Sequence, residues 1–151
     1  MPRCWIGVAA ARHVRIAVED GFAMFAHGRH SAALRTQPGD WVAYYSPREG
    51  MNEGAEVRAF TAIGRILPGE PHERQMTASG DTGWRRNAEW LPAKSADIYP
   101  LLDRFSFVRD RGHWGMYFRK SLFSIERGDL ALIAAAMGVG DAFEGAGNRE
   151  N

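Results

Sequence analysis

The sequence predicts an α+β domain, a small mixed β-barrel with short helices covering its ends or one flank. Three observations lead there. Short runs of aromatic and β-branched residues recur along the chain, WVAYYS at residues 41–46 being the clearest. Turn residues punctuate them, as in Gln37-Pro38-Gly39-Asp40 and Pro68-Gly69. One segment near the C-terminus reads as a clear helix, and the other helical patterns are short.

The elements follow in order. Residues 4–9 (CWIGVA) read as a buried first strand. Residues 10–20 change to a helical period, with Val14, Ile16, Ala17 and Val18 expected towards the core and Gly21 as the stop. Residues 22–27 (FAMFAH) read as a second strand, and Ser31 as the N-cap of a brief helix through Leu34. After the Pro-Gly-Asp turn comes the aromatic strand, then a polar loop over residues 48–56 (REGMNEGAE). Residues 57–67 (VRAFTAIGRIL) form the next strand, where Gly64 marks a bulge or a close backbone approach. Residues 70–83 are polar, with Gly80-Asp81-Thr82-Gly83 as a turn or mobile loop.

Residues 84–91 (WRRNAEWL) suggest a strand with Trp84 and Trp90 on one face. Pro100-Leu101-Leu102 opens a helical turn, and residues 122–125 make a short strand. The closing helix starts at Glu126 or Arg127. Its apolar stripe is Leu130, Ile133, Ala134 and Met137, and Gly138 stops it. One domain over residues 1–139, followed by a frayed tail over 140–151, accounts for the chain.

Composition narrows the function classes. A chain of 151 residues, 45% hydrophobic and 25% charged, folds around its own core. The one cysteine, Cys4, allows no internal disulfide and no cysteine-based zinc site. No stretch is long and apolar enough to span a bilayer, and the first residues lack a signal-peptide layout. These features favour a reducing, cytoplasmic location. The net charge of +1 announces no polyanion partner. Lys94 and Lys120 are the only lysines, so nearly all basic positions are arginine. Arginine suits phosphate and base contacts but is equally an ordinary surface residue.

Catalytic signals are weak. His13, His27, His30, His72 and His113 are scattered, and no nucleophile elbow or phosphate loop occurs. Glu49, Glu53 and Glu56 read as a solvated loop. No metal ligand set and no cofactor motif is expected. The aromatic set is the stronger signal. It holds five tryptophans, Trp5, Trp41, Trp84, Trp90 and Trp114, with Tyr44 and Tyr45 consecutive on a strand. Consecutive strand residues point to opposite faces, so one tyrosine ring could line a slot while the other enters the core. Burial of all these rings as core is the competing reading.

Several ordered motifs together resemble the EVE domain family. They are CWIGVAAARHV, GFAMFAHGR, QPGDWVAYYSP, FTAIGRI, PLLDRFSFV and WGMYFR, and the similarity runs from about residue 3 to residue 137. EVE domains belong to the PUA-like superfamily and are similar to YTH and ASCH domains. The resemblance implies a PUA-like bent mixed β-barrel flanked by short helices. It also implies a pocket for one flipped-out base, often a modified one, in DNA or RNA. Such a base leaves its stack at a cost of a few kcal/mol, which aromatic faces and base-edge hydrogen bonds offset.

Carried over by segment, the resemblance implies a base-binding pocket of Trp5, Ile6, Gly7, Phe25, His27, Tyr45, Ser46 and Pro47. The stretch around Phe25 holds no tryptophan, so Phe25 or His27 would take the place of the cage tryptophan of YTH relatives. Arg29, Arg86 and Arg119 are candidate phosphate contacts. The implied protein is a non-catalytic binding domain, a monomer or weak dimer, with nucleic acid as partner and no membrane. Two rivals remain: an interaction or regulatory module of a defence or toxin–antitoxin system, and an ASCH-like nuclease or amidohydrolase.

Overall fold

The computed structural model describes residues 2–75 and 82–149, with side chains through residue 146. Its centre is one curled, half-barrel sheet. The strands are β1 (Cys4–Val8), β2 (Phe22–Ala23), β3 (Trp41–Gly50), β4 (Glu53–Ile66), β5 (His72–Gln75), β6 (Thr82–Trp90), β7 (Ala96–Asp97) and β8 (Leu122–Ile125). The path across the sheet is β2-β6-β4-β3-β1-β8, with β5 beside β6 and β7 beside β4. β1 runs parallel to β3, and the other pairs are antiparallel. The parallel pair needs a crossover, which α1 (Ala11–Asp20), β2 and α2 (His30–Arg35) supply. The predicted α+β class with a mixed sheet and short helices is what the structure has.

Strand alternation divides the core in two. Cys4, Ile6, Trp41, Ala43 and Tyr45 enter one apolar cluster, which α3 (Arg127–Ala136) and α4 (Gly140–Arg149) cover. Trp5, Val42 and Tyr44 enter the other, closed by Val14 and Ala17 of α1 and by Phe25. The central strands are therefore buried on both faces. Both tyrosines are interior: the Tyr44 hydroxyl donates to Met24 O (2.7 Å) and accepts from Met24 N (2.9 Å). Burial drives the Cys4 thiol up to about 11, which leaves it protonated and inert at neutral pH.

The Pro-Gly-Asp turn does more than reverse the chain. Gly39 takes φ +91°, and Asp40 lies beneath it, 2% exposed. Its carboxylate accepts from Arg3 N, Trp5 Nε1 and Gln37 N, each at 2.9 Å. Gly64 makes the close approach its position suggested. A Cβ there would stand 2.3 Å from Glu89 O and 2.9 Å from Trp90 Cα.

Several local expectations need correction. In α1 the buried stripe is Ala11, Val14 and Ala17, a spacing of three, and it leaves Ile16 and Val18 39% and 41% exposed. The expected strand over residues 22–27 stops at Ala23. Ala26, His27 and Gly28 all take positive φ and form a tight 3₁₀ turn. Helix α2 begins at His30, so Ser31 lies inside it and Arg29 precedes it without a side-chain cap. The polar stretch 48–56 is no loop: β3 and β4 extend through it as a hairpin turning at Met51 and Asn52, the latter at φ +56°. Ion pairs from Arg12 to Glu53 and Arg15 to Glu49 fasten α1 to that hairpin.

The polar middle contains β5, paired with β6. Of the expected turn over residues 80–83, Gly80 and Asp81 lie outside the described residues, and Thr82 and Gly83 belong to β6. The tail is not frayed over 140–149. It forms α4, and Phe143 packs edge-on against Trp41 with no exposure (ring centroids 4.9 Å apart). A single large aromatic at the right place anchors a segment whose glycines and charges otherwise read as unstructured.

Candidate functional site

Where β3 leaves the sheet its register slips, between Tyr44 and Tyr45 and again between Ser46 and Arg48. Opposite the second slip, Arg58 of β4 adopts φ +46°, a left-handed conformation that costs a non-glycine residue free energy. Bulges of this kind re-aim side chains. Here the bend opens a cleft of about 380 Å³, lined by Tyr45, Pro47, Arg58, Trp114, Gly115 and Phe118.

The far wall comes from residues 111–119 (RGHWGMYFR), which coil as 3₁₀ turns. Asp110 fixes their start. Its carboxylate accepts from Gly112 N (3.0 Å) and lies 2.7 Å from His113 Nδ1. The His113 hydrogen bond also holds the Asp110 carboxyl below its ordinary range. Gly112 precedes Trp114 by two residues and Gly115 follows it directly; both line the opening, and a Cβ at Gly115 would meet nothing.

The rings are set at angles rather than in one stack. Trp114 meets Tyr45 edge-on at 6.3 Å and Tyr99 edge-on at 5.6 Å. Phe118 lies 4.6 Å from Tyr45, tilted by 43°. At the rim, the Arg58 guanidinium donates to the Tyr99 hydroxyl and to Glu56 Oε1 (3.1 Å). Those two bonds, the Tyr99 one foremost, raise its pKa further and keep it cationic. Burial likewise pushes the Tyr45 phenol well above its usual range. A second depression of about 460 Å³, lined by His113, Gly115, Met116 and Arg119, shares Gly115 with the first. An aromatic wall, a fixed cation and an adjoining arginine suit a planar, polar ring attached to an anionic backbone.

The sequence-predicted residues divide. Tyr45 and Pro47 line the cleft, and Arg119 lines its neighbour. Ser46 is fully buried beside them, with its hydroxyl 2.7 Å from that of Thr61. Trp5 is 2% exposed, bonded to Asp40 and flanked by the guanidinium groups of Arg3 and Arg35. Ile6 is core. A Cβ at Gly7 would lie 2.9 Å from the Phe25 ring, so this pair plugs the opposite cluster and forms no pocket wall there.

His27 is exposed on its turn, and Arg29 is exposed beside it, neither among the cleft-lining residues. Arg86 is buried, donating to Ala33 O (2.9 Å) and Gly69 O (3.0 Å), which removes it from phosphate contact. Alternation explains the split: Gly7 and Ile6 point to opposite sides of β1, so a contiguous motif cannot line one cavity. Sequence reasoning missed Trp114, Phe118, Tyr99 and Arg58 as site residues. The two glycines around Trp114 were a usable signal. The positive φ of Arg58 had none.

A family model described as the EVE domain matches residues 3–136. The UPF0310 protein msl3206 of Mesorhizobium japonicum is 43% identical over 140 residues, covering 91% of this chain and 93% of its own. The UPF0310 protein YdcG of Bacillus subtilis is 36% identical over 135 residues, covering 89% and 92%. Among solved structures, the NMR structure of Rpa0253 from Rhodopseudomonas palustris superposes with a TM-score of 0.55 at 18% identity, covering 91% of this chain and 94% of that one. The crystal structure of Atu2648 from Agrobacterium tumefaciens gives 0.56 at 13% identity, covering 92% and 95%. These two structures share the fold. Among the described residues, no helix is long and apolar enough to cross a membrane.

Proposed function

The chain belongs to the EVE domain family, and on that premise we propose that it is a non-catalytic module whose aromatic cleft receives a single nucleic-acid base, a modified base in particular. The cleft itself carries this reading: Tyr45, Trp114 and Phe118 surround a space of about 380 Å³ with Arg58 at its rim. That volume falls within the range of small-molecule sites, roughly 300–1,000 Å³. A base swung out of its strand would rest against Trp114 and Tyr45. The free N–H groups of Arg58 would face the acceptors on the base edge or the flanking phosphate. Arg119, next door, would meet the adjoining backbone. The family's domains are often nucleic-acid-binding, which supports the same reading.

The test is a tryptophan-fluorescence titration at low salt with oligonucleotides carrying 5-methylcytosine, N6-methyladenine or neither. The modified strands are expected to bind more tightly. Equal affinity for all three would remove the modified-base reading. Trp114→Ala is expected to weaken binding about 5- to 150-fold, the loss of one stacking contact of about 1–3 kcal/mol. Trp84→Ala, outside the cleft, is expected to leave it unchanged. The reverse order of the two variants would move the site to the other face of the sheet.

A further inference from the structure

A second cluster of polar side chains lies away from the aromatic cleft, on β6 and the elements beside it. At its centre is Arg85. Its guanidinium covers the Phe22 ring at 3.7 Å, and its Nε is buried with no hydrogen-bond partner among the described residues. Buried polar groups are nearly always paired, and an arginine nitrogen left unpaired asks for an acceptor.

Among the described residues the neighbours supply more positive charge than negative. His72 stands directly across from Arg85 in the β5–β6 pair, and Arg74 stands across from Gly83. Cross-strand partners project from the same face. His13 of α1 meets Phe22 edge-on at 6.1 Å and Tyr44 at 6.4 Å. His27 lies on the turn pressed against β6, where a Cβ at Gly28 would fall 2.6 Å from Gly83 Cα. The acidic group whose charge reaches Arg85 is Asp20, at the end of α1, and among the described residues it forms no ion pair with it.

We propose that Arg85, His13 and His27 form an oxyanion site for a phosphate-type group, separate from the aromatic cleft. A planar guanidinium fork matches two oxygens of a phosphate or sulfate, and the buried Nε would be one of the two donors. The protonation of His13 fits this arrangement. Burial first, then the charges of Arg85 and His27, hold its pKa below the ordinary histidine value, which favours the neutral ring. An anion between these groups reverses the balance and draws a proton onto His13. Binding is then linked to proton uptake, and affinity rises as pH falls. The anion could be a free phosphorylated small molecule or the phosphodiester of a bound strand.

The experiment follows the His13 and His27 ring resonances by NMR during titration with sodium sulfate, whose charge is constant over the range used. A parallel titration uses an abasic oligonucleotide, which carries backbone phosphates and no bases. Saturable shifts of both histidines with sulfate are expected, tightening towards low pH, and shifts with the oligonucleotide alone would identify the strand backbone as the source. Arg85→Gln is expected to weaken the effective ligand about tenfold, the loss of one charge-assisted hydrogen bond. Arg85→Lys keeps a cation over Phe22, guards against misfolding, and is expected to show a smaller loss. Absence of shifts with both ligands, or undiminished affinity in the folded variants, would overturn the proposal. Trp114→Ala is expected to leave these shifts intact, so the result stands apart from the fate of the base cleft.

Discussion

Replacing Asp40 by Ala is expected to remove about 4 kcal/mol of folding stability, among the largest losses available to one side chain here. The reason is the number of donors that share one buried acceptor. Arg3 N, Trp5 Nε1 and Gln37 N all converge on this carboxylate. Truncation leaves each of them searching for a partner at the start of β1 and at the turn into β3. Both strands are central to the sheet, so the damage does not stay local. Asp40→Asn keeps one carbonyl oxygen and is expected to lose about half as much. Urea unfolding reads the effect as a lower midpoint at unchanged slope. A loss below about 1 kcal/mol for the Ala variant would mean that water replaces the carboxylate without difficulty.

Gly64→Ala is expected to cost a similar amount, about 4 kcal/mol, for a different reason. A methyl group has nowhere to go when backbone atoms on β6 already stand 2.3 Å and 2.9 Å from its position. Flexible side chains could step aside, but here the two strands must part, and the Gly64–Trp90 pairing goes with them. Gly128→Ala in α3 is the matched control. Nothing lies within reach of its added Cβ, and the helical position gains up to about 1 kcal/mol from alanine's higher propensity. Equal midpoints for the two variants would show that β4 and β6 separate at little cost.

Much of this fold was legible because single residues carry strong local physics. The Pro-Gly-Asp turn, the WVAYYS strand, Gly21 and Gly138 as helix stops, and the closing helix stripe all follow from sterics and period. Gly64 signalled a close approach by its place inside a strand. Other features lacked such a signal. The hairpin over residues 48–56 is polar because its strands project beyond the core, so composition disguised it as a loop. Helix α4 is anchored chiefly by Phe143, in a segment with three glycines. The site was harder to read than the fold. Its rings come from β3, from the turn at Tyr99 and from the coil around Trp114, which the sheet brings together across nearly half the chain. The resemblance implied one pocket with walls from Trp5, Phe25 and Tyr45, whereas Trp5 and Phe25 enter one apolar cluster and Tyr45 the other.

The strand order carries a consequence for behaviour at high concentration. The long strands β3, β4 and β6 all lie inside the path, and its two ends are β2 and β8, only two and four residues long. An exposed sheet margin is a template on which another chain can add a strand and begin an aggregate. Margins this short offer a newcomer few backbone groups to pair with. The most aromatic stretch, residues 41–45, is paired on both sides, by β1 and by β4, so a second molecule cannot add to it without first displacing a neighbouring strand.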